Sequence, residues 1–243
     1  ENLTSDIFNG ILAVTGKVST KTDTPTFDMN LGADGFDIAS SFQQLDLLKS
    51  LAPIAKVLKG KLNTTIGLRG SLSDDMTPNL GSVSGSAFAE LLTTEINQDE
   101  SSILSKLDGA LSFVDFSKLN LNDLKANLSF ADGKVNVKPF NLKYNDIGIL
   151  VSGSHGFDKS LSYDAVLDVP AKYLGGEVNR LIGKINDSDV NNLTIPVTAN
   201  IGGTFTNPTV KTDLTSGVSN LTKQLVEIQK QKLIGQGKDK VSD

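Results

Sequence analysis

Cysteine and tryptophan are absent from the 243-residue chain, and histidine occurs once, as His155. Without cysteine there is no disulfide framework, no thiolate nucleophile and no thiolate metal ligand. Secreted eukaryotic β-proteins commonly carry disulfides, so this absence fits a bacterial envelope protein at least as well as a cytosolic one. A lone histidine also rules out Cys/His metal clusters, and no metal site or cofactor motif is expected. No window approaches the ~18 to 20 consecutive apolar residues that a membrane helix needs. Aromatic residues make up 6% and hydrophobic residues 38%, which suits thin sheets with one buried face better than a thick two-sided core. The net charge of −5 comes from 23 basic and 28 acidic residues spread along the chain. No long basic stripe with interleaved aromatics occurs, which argues against a nucleic-acid partner.

The stretch from Asn120 to Pro170 organises the rest. Apolar and polar residues alternate through Leu124, Ala126, Leu128 and Phe130 up to Ala131-Asp132-Gly133-Lys134. Alternation resumes at Val135 and Val137, slips by one residue near Pro139, and continues through Phe140, Leu142 and Tyr144. Asn145-Asp146 leads into Ile147, Ile149 and Val151, and Phe157 to Ser160 turns the chain into Leu161, Tyr163, Ala165, Leu167 and Val169. A period of two means one apolar and one wet face. Asp-Gly between alternating runs is a hairpin signal, and the slip at Pro139-Phe140 predicts a bulge. Four antiparallel strands are expected here.

Elsewhere, strands are expected over residues 11–20 and from Phe27 to Ile38. Phe42, Leu45, Leu48, Leu51 and Ile54 then recur at helical spacing, with Pro53 dividing the segment. Strands follow from Lys61 to Leu72 and Gly81 to Ile96, then weak helical character over Ser101 to Leu111. A helix after Pro170 runs through Tyr173, Val178, Leu181 and Ile182, interrupted by Gly175-Gly176. A strand from Asn191, a short strand carrying Val210 and Leu214, and a helix from Ser216 to Ile234 complete the pattern. Four strands share an apolar-x-Gly step, at Gly16, Gly70, Gly153 and Gly203. Glycines at equivalent places curl a sheet into a trough, or simply mark strand ends.

Chemistry is sparse. His155 follows Ser154, but neighbours on a strand point to opposite faces and cannot act as nucleophile and base. The nucleophile-elbow pattern Gly-x-Ser-x-Gly is not matched at His155 or at Gly81 to Gly85. Asp74-Asp75 lacks the spaced oxygen ligands of a calcium loop, and Asp28, Asp37, Asp164 and Asp168 alternate with apolar residues as the wet side of a sheet does. No catalytic residue is assigned, and an enzyme acting on envelope glycans has no residue pattern in its favour.

Several segments resemble the C-terminal region of the AsmA family. They are Leu128 to Val135, Pro139-Phe140-Asn141-Leu142, Val151-Ser152-Gly153, Leu161-Ser162-Tyr163, Ile195-Pro196-Val197, Ile201 to Val210, and Leu68 to Pro78. The likeness covers roughly residues 60 to 214 and consists of strand-and-turn patterns. It implies a Gram-negative envelope protein with its bulk in the periplasm and an N-terminal inner-membrane helix ahead of this chain. It implies outer-membrane lipid transport or assembly, because the wider family is similar to bridge-like lipid-transfer proteins with apolar grooves.

The expected fold is a β-rich α+β domain. Its curved, mainly antiparallel sheet is a meander with bulges, partly covered by a few short helices and a C-terminal helix. One elongated domain over 1–235 is expected, with a sub-boundary near 97–119 and a disordered tail at 236–243. The expected lipid-binding face comprises Phe130, Val135, Val137, Leu142, Ile149, Val151, Tyr163, Leu167, Ile195, Val197 and Ile201. Side chains in that number present several hundred Å², more than monomers usually expose. Covering them is worth on the order of 10 kcal/mol at roughly 25 cal/mol per Å². Two partners fit: a phospholipid or other acyl lipid, and envelope proteins. The alternative is a scaffold module that binds no lipid.

Overall fold

The computed structural model describes residues 2–97, 101–185, 190 and 192–239. Among the described residues eleven strands form one open, curved antiparallel sheet in which every strand pairs with its neighbours in sequence, β1 to β11 in order. They are β1 (Asn2–Ile7), β2 (Gly10–Ser19), β3 (Thr26–Asp37), β4 (Leu58–Ser71), β5 (Ser84–Ile96), β6 (Lys125–Ala131), β7 (Lys134–Tyr144), β8 (Ile147–Gly156), β9 (Leu161–Pro170), β10 (Thr194–Gly203) and β11 (Pro208–Thr212). The expected four-strand meander is β6 to β9. Asp132 and Gly133 adopt φ of 52° and 72° in its first turn, as a two-residue hairpin requires. The register of β7 against β8 shifts between Val137 and Phe140, so the bulge falls where the alternation slips.

Five helices matter to the surface: α1 (Ile38–Gln44), α2 (Asp46–Leu51), α3 (Ser102–Ala110), α4 (Gly176–Ile185) and α5 (Leu214–Asp239). Asp37 caps α1, its carboxylate accepting from the Ser40 amide at 2.8 Å. The segment read as one helix divided at Pro53 breaks earlier, at Leu45, and Pro53 instead opens a 3-10 turn to Val57. Gly175 and Gly176 mark the start of α4. The expected helix beginning at Ser216 begins at Leu214 and runs on through Asp239, past the expected boundary at 235; residues 240–243 of the expected tail lie outside the described residues. So do residues 98–100 of the expected sub-boundary. Strand β1 was not expected at all.

Two cores form on the same side of the sheet. The first gathers Phe27, Ile66 and Leu68 with Ile38, Phe42, Leu48 and Leu51 of α1 and α2, and reaches Phe130 and Val135. The second gathers Ile147, Ile149, Leu167, Val169, Val197 and Ala199 under Leu107, Val178, Leu181, Leu221 and Leu225 of α3, α4 and α5. Strand β7 changes hands at its bulge: Val135 belongs to the first core and Leu142 packs on the second. Val137, between them, belongs to neither.

Candidate functional site

The pairing register places all eleven expected residues on this helix-bearing face. Phe130 opposes Val135, Leu142 opposes Ile149, Ile149 opposes Leu167, Leu167 opposes Val197, and Tyr163 opposes Ile201. Across the bulge, Val137 opposes Gly153 and Phe140 opposes Val151, so the two halves of β7 keep the same face. Phe130, Val135, Ile149, Leu167, Val197 and Ile201 are buried. Val137, Leu142, Val151, Tyr163 and Ile195 are half-buried. The four other than Val137 pack on the second core.

The register also shows a larger feature. Leu3, Val14, Leu31, Ile66, Ala87, Leu128, Val137, Gly153, Tyr163, Ile201 and Val210 are consecutive cross-strand partners through all eleven strands. At roughly 4.8 Å per strand this apolar row is about 50 Å long. Ile66 and Ile201 are covered, one by each core. Between them Ala87, Leu128 and Val137 are half-buried, and beyond Ile66 the row emerges through Leu31 and Val14 to Leu3, which is 61% exposed. The helices explain this gradient. α1 lies on β3 and β4, α5 on β10 and α3 against β11, with α4 packed on α5, so the middle of the row lies between the two groups. The expected face contained Val137, Tyr163 and Ile201 of the row and missed its other apolar members, Leu3, Val14, Leu31, Ile66, Ala87, Leu128 and Val210. The alternation of each strand was the available signal; the register joining them was not.

Gly153 interrupts the row, with φ of 150°. A Cβ there would collide with the backbone and ring of Tyr163, so the missing side chain is what lets that ring lie close to the sheet.

The opposite face is polar. Thr15, Asn30, Gly67, Ser86, Ser129, Asn136, Ser154 and Ser162 form the adjacent cross-strand row. A shallow open depression on this face is lined by polar residues such as Thr15, Asn30, Ser86 and Lys138 together with apolar ones, Ala13 and Phe88 among them.

His155 is 5% exposed and joins the two cores. Its Nδ1 lies 2.8 Å from the Tyr163 hydroxyl and its Nε2 lies 3.1 Å from the Leu51 carbonyl at the end of α2. A carbonyl only accepts, so Nε2 carries the proton and Nδ1 accepts from the Tyr163 hydroxyl. The Phe205 ring meets the imidazole edge-on at 5.4 Å. Burial holds His155 below its ordinary pKa, opposed by the Leu51 carbonyl, and burial pushes the Tyr163 phenol up. Ser154 opposes Ser162 while His155 opposes Leu161, which puts the adjacent serine on the other face. Both ring nitrogens are thus occupied in joining α2, β8 and β9.

Among the described residues no three His, Cys, Asp or Glu side chains gather as a metal site, and no helix is long and apolar enough to cross a membrane. No family model matches the chain, and neither the curated proteins nor the solved structures contain a match to it.

Proposed function

We propose that this chain is a non-enzymatic periplasmic domain contributing to outer-membrane lipid transport or assembly. In this reading the apolar row is where acyl chains lie. One observation carries it: the row is in register across all eleven described strands and is left half-covered at Ala87 and Leu128, on the margin of the first core, and at Val137, which belongs to neither core. A protein needing only a stable sheet gains from covering those side chains, at roughly 25 cal/mol per Å². The likeness of residues 60 to 214 to AsmA-family segments supports the envelope location and an inner-membrane anchor in the whole protein.

A scaffold without lipid binding is the second reading. It draws on the burial of Phe130, Val135, Ile149, Leu167, Val197 and Ile201 within the chain's own cores.

Native mass spectrometry with lipid extraction, on protein purified from a Gram-negative host, separates the two. Bound phospholipid is expected, and Val137→Asp and Leu128→Asp should each reduce it at least severalfold while leaving the circular dichroism spectrum unchanged. A lipid-free protein, or retention of lipid in both folded variants, favours the scaffold.

A further inference from the structure

The depression on the face away from the helices has a volume of about 590 Å³ and crosses the sheet from β2 to β7. Two cross-strand rows wall it. One runs through Thr15, Asn30, Gly67, Ser86 and Ser129, the other through Ala13, Gly32, Thr65, Phe88 and Asn127. Leu31, Ile66, Ala87 and Leu128 lie between the rows and also line the depression. Their side chains belong to the helix-bearing face, so they contribute bare strand backbone here. The result is a flat-floored trough, its walls roughly 7 Å apart because the rows are two residues apart on each strand.

The groups on the walls are not engaged elsewhere. None of Thr15, Asn30, Thr65, Ser86, Asn127 and Ser129 bonds through its side chain to another described residue. Elsewhere on this face polar side chains are paired. Asn200 donates to Asp164 at 2.6 Å, Arg69 to Ser84 at 3.3 Å, and Lys125 lies 3.1 Å from Glu90. Among the described strands Phe88 is the one aromatic residue that the register sets on this face, half-buried between Thr65 and Asn127. Gly32 leaves the space above β3 open, since a Cβ added there would meet nothing within 4 Å.

Charge and polarity select the occupant. Lys138 is the only charged side chain lining the trough, whereas a nucleic acid needs many cations for its phosphates. An acyl chain would strip water from the amides and hydroxyls and give them no bond in return. A sugar meets both kinds of wall group. Its hydroxyls donate to and accept from Asn, Ser and Thr, and its C–H face suits the electron-rich face of an aromatic ring. The spacing also matches. Strands stand roughly 4.8 Å apart, close to the advance of one sugar along an extended β-linked glycan, so consecutive sugars lie over consecutive strands.

We propose that this trough is a glycan-binding site that takes a neutral, extended, β-linked oligosaccharide laid across β2 to β7. One sugar stacks on Phe88, and Asn30 and Asn127 bond hydroxyls along its opposite edges. No carboxylate or imidazole lines the trough, so the glycan is held and not cleaved. The site lies on the opposite face from the apolar row and does not rest on lipid binding.

Nuclear magnetic resonance of the isotope-labelled chain, titrated with cellohexaose and with the β-linked hexamer of N-acetylglucosamine, tests this. At least one hexamer should shift the backbone amide signals around Asn30, Thr65, Phe88 and Asn127 while leaving those of Val178, Leu221 and Leu225 unmoved. Maltohexaose, whose α-linkages coil the chain, should bind at least severalfold more weakly. Phe88→Ala removes the stacking ring. Gly32→Val fills the trough with a residue that suits a strand. Each should weaken binding at least severalfold with an unchanged circular dichroism spectrum. No shift with either hexamer at millimolar concentration would overturn the proposal. So would equal binding of maltohexaose, shifts centred on the helix-bearing face, or a folded variant that binds as tightly as the parent. Lipid retention is read separately, at Val137 and Leu128, so either reading can fail without the other.

Discussion

Strands β2 and β3 and strands β9 and β10 are made of similar alternating sequence, yet they end in different environments. Val14 on β2 lies between apolar cross-strand neighbours, Leu3 and Leu31, and Val197 on β10 opposes Leu167. Val197 is completely buried and Val14 half-buried. The strands do not make that difference; the helices do. α1 and α2 are an insertion between β3 and β4, and reach no further outward than β3. α3 packs on β11, α5 on β10 and α4 on α5. Coverage of an antiparallel sheet is thus set by where helices enter the chain, and here it declines towards β1.

The largest expected effect lies in the covered half. Leu225 of α5 is 0% exposed in the second core, between α4 and the sheet. Leu225→Ala should cost about 2 to 5 kcal/mol, from lost transfer energy and the cavity left behind, read as a lower urea midpoint. A loss below about 1 kcal/mol would mean that α5 is not what seals β10.

The contact between the two regions should respond to pH. His155 is held below its ordinary value of 6.5 by burial. The unfolded chain therefore binds a proton more readily than the folded one as pH drops below about 6.5. Its contribution to stability is complete above that pH and is lost as pH falls towards the folded-state value. His155→Gln should cost about 1 to 3 kcal/mol near pH 7.5, because it disturbs the bonds to Tyr163 and the Leu51 carbonyl. It should also flatten the pH dependence between 7.5 and 5.5. Urea titrations of both proteins at the two pH values measure this. Equal slopes would show that the imidazole is not the titrating link. Asp37, lowered by its bonds to Ser40, acts in a separate, more acidic window.

What was legible in the sequence follows the range of each interaction. Alternation is local, so β6 to β9 and the bulge at Pro139 were readable from adjacent residues. β1 was not, because Ser5 breaks its apolar alternation and its turn places Phe8, a bulky residue, at φ of 53°, where glycine or asparagine is the usual signal. The break at Leu45 was hidden by apolar spacing that continues through it. The apolar row needed registers joining β4 to β5 and β5 to β6 across long stretches of intervening sequence, and no periodicity spans such gaps. The expected face accordingly began at Phe130 and omitted the half of the row nearest β1.

The smallest effect gives the sharpest comparison, because it uses one substitution at both ends of the sheet. Valine and threonine have nearly the same shape, so Val→Thr changes little beyond adding a hydroxyl. At Val197, with no exposure, that hydroxyl loses water and gains no assured partner, at a cost of about 1 to 3 kcal/mol. At Val14 the side chain is half-buried on β2, next to the sheet edge, and the hydroxyl keeps water. The cost there should stay within about 0.5 kcal/mol, as for surface substitutions generally, and threonine's liking for strands offsets part of it. Urea midpoints of the two variants, measured side by side, are sufficient. Equal losses would mean that Val14 is as well covered as Val197 and that coverage does not decline across the sheet towards β1. Unequal losses, with lipid retained by Val197→Thr and reduced by Val14→Thr, would place the lipid-facing part of the row at the β1 end rather than beneath α5.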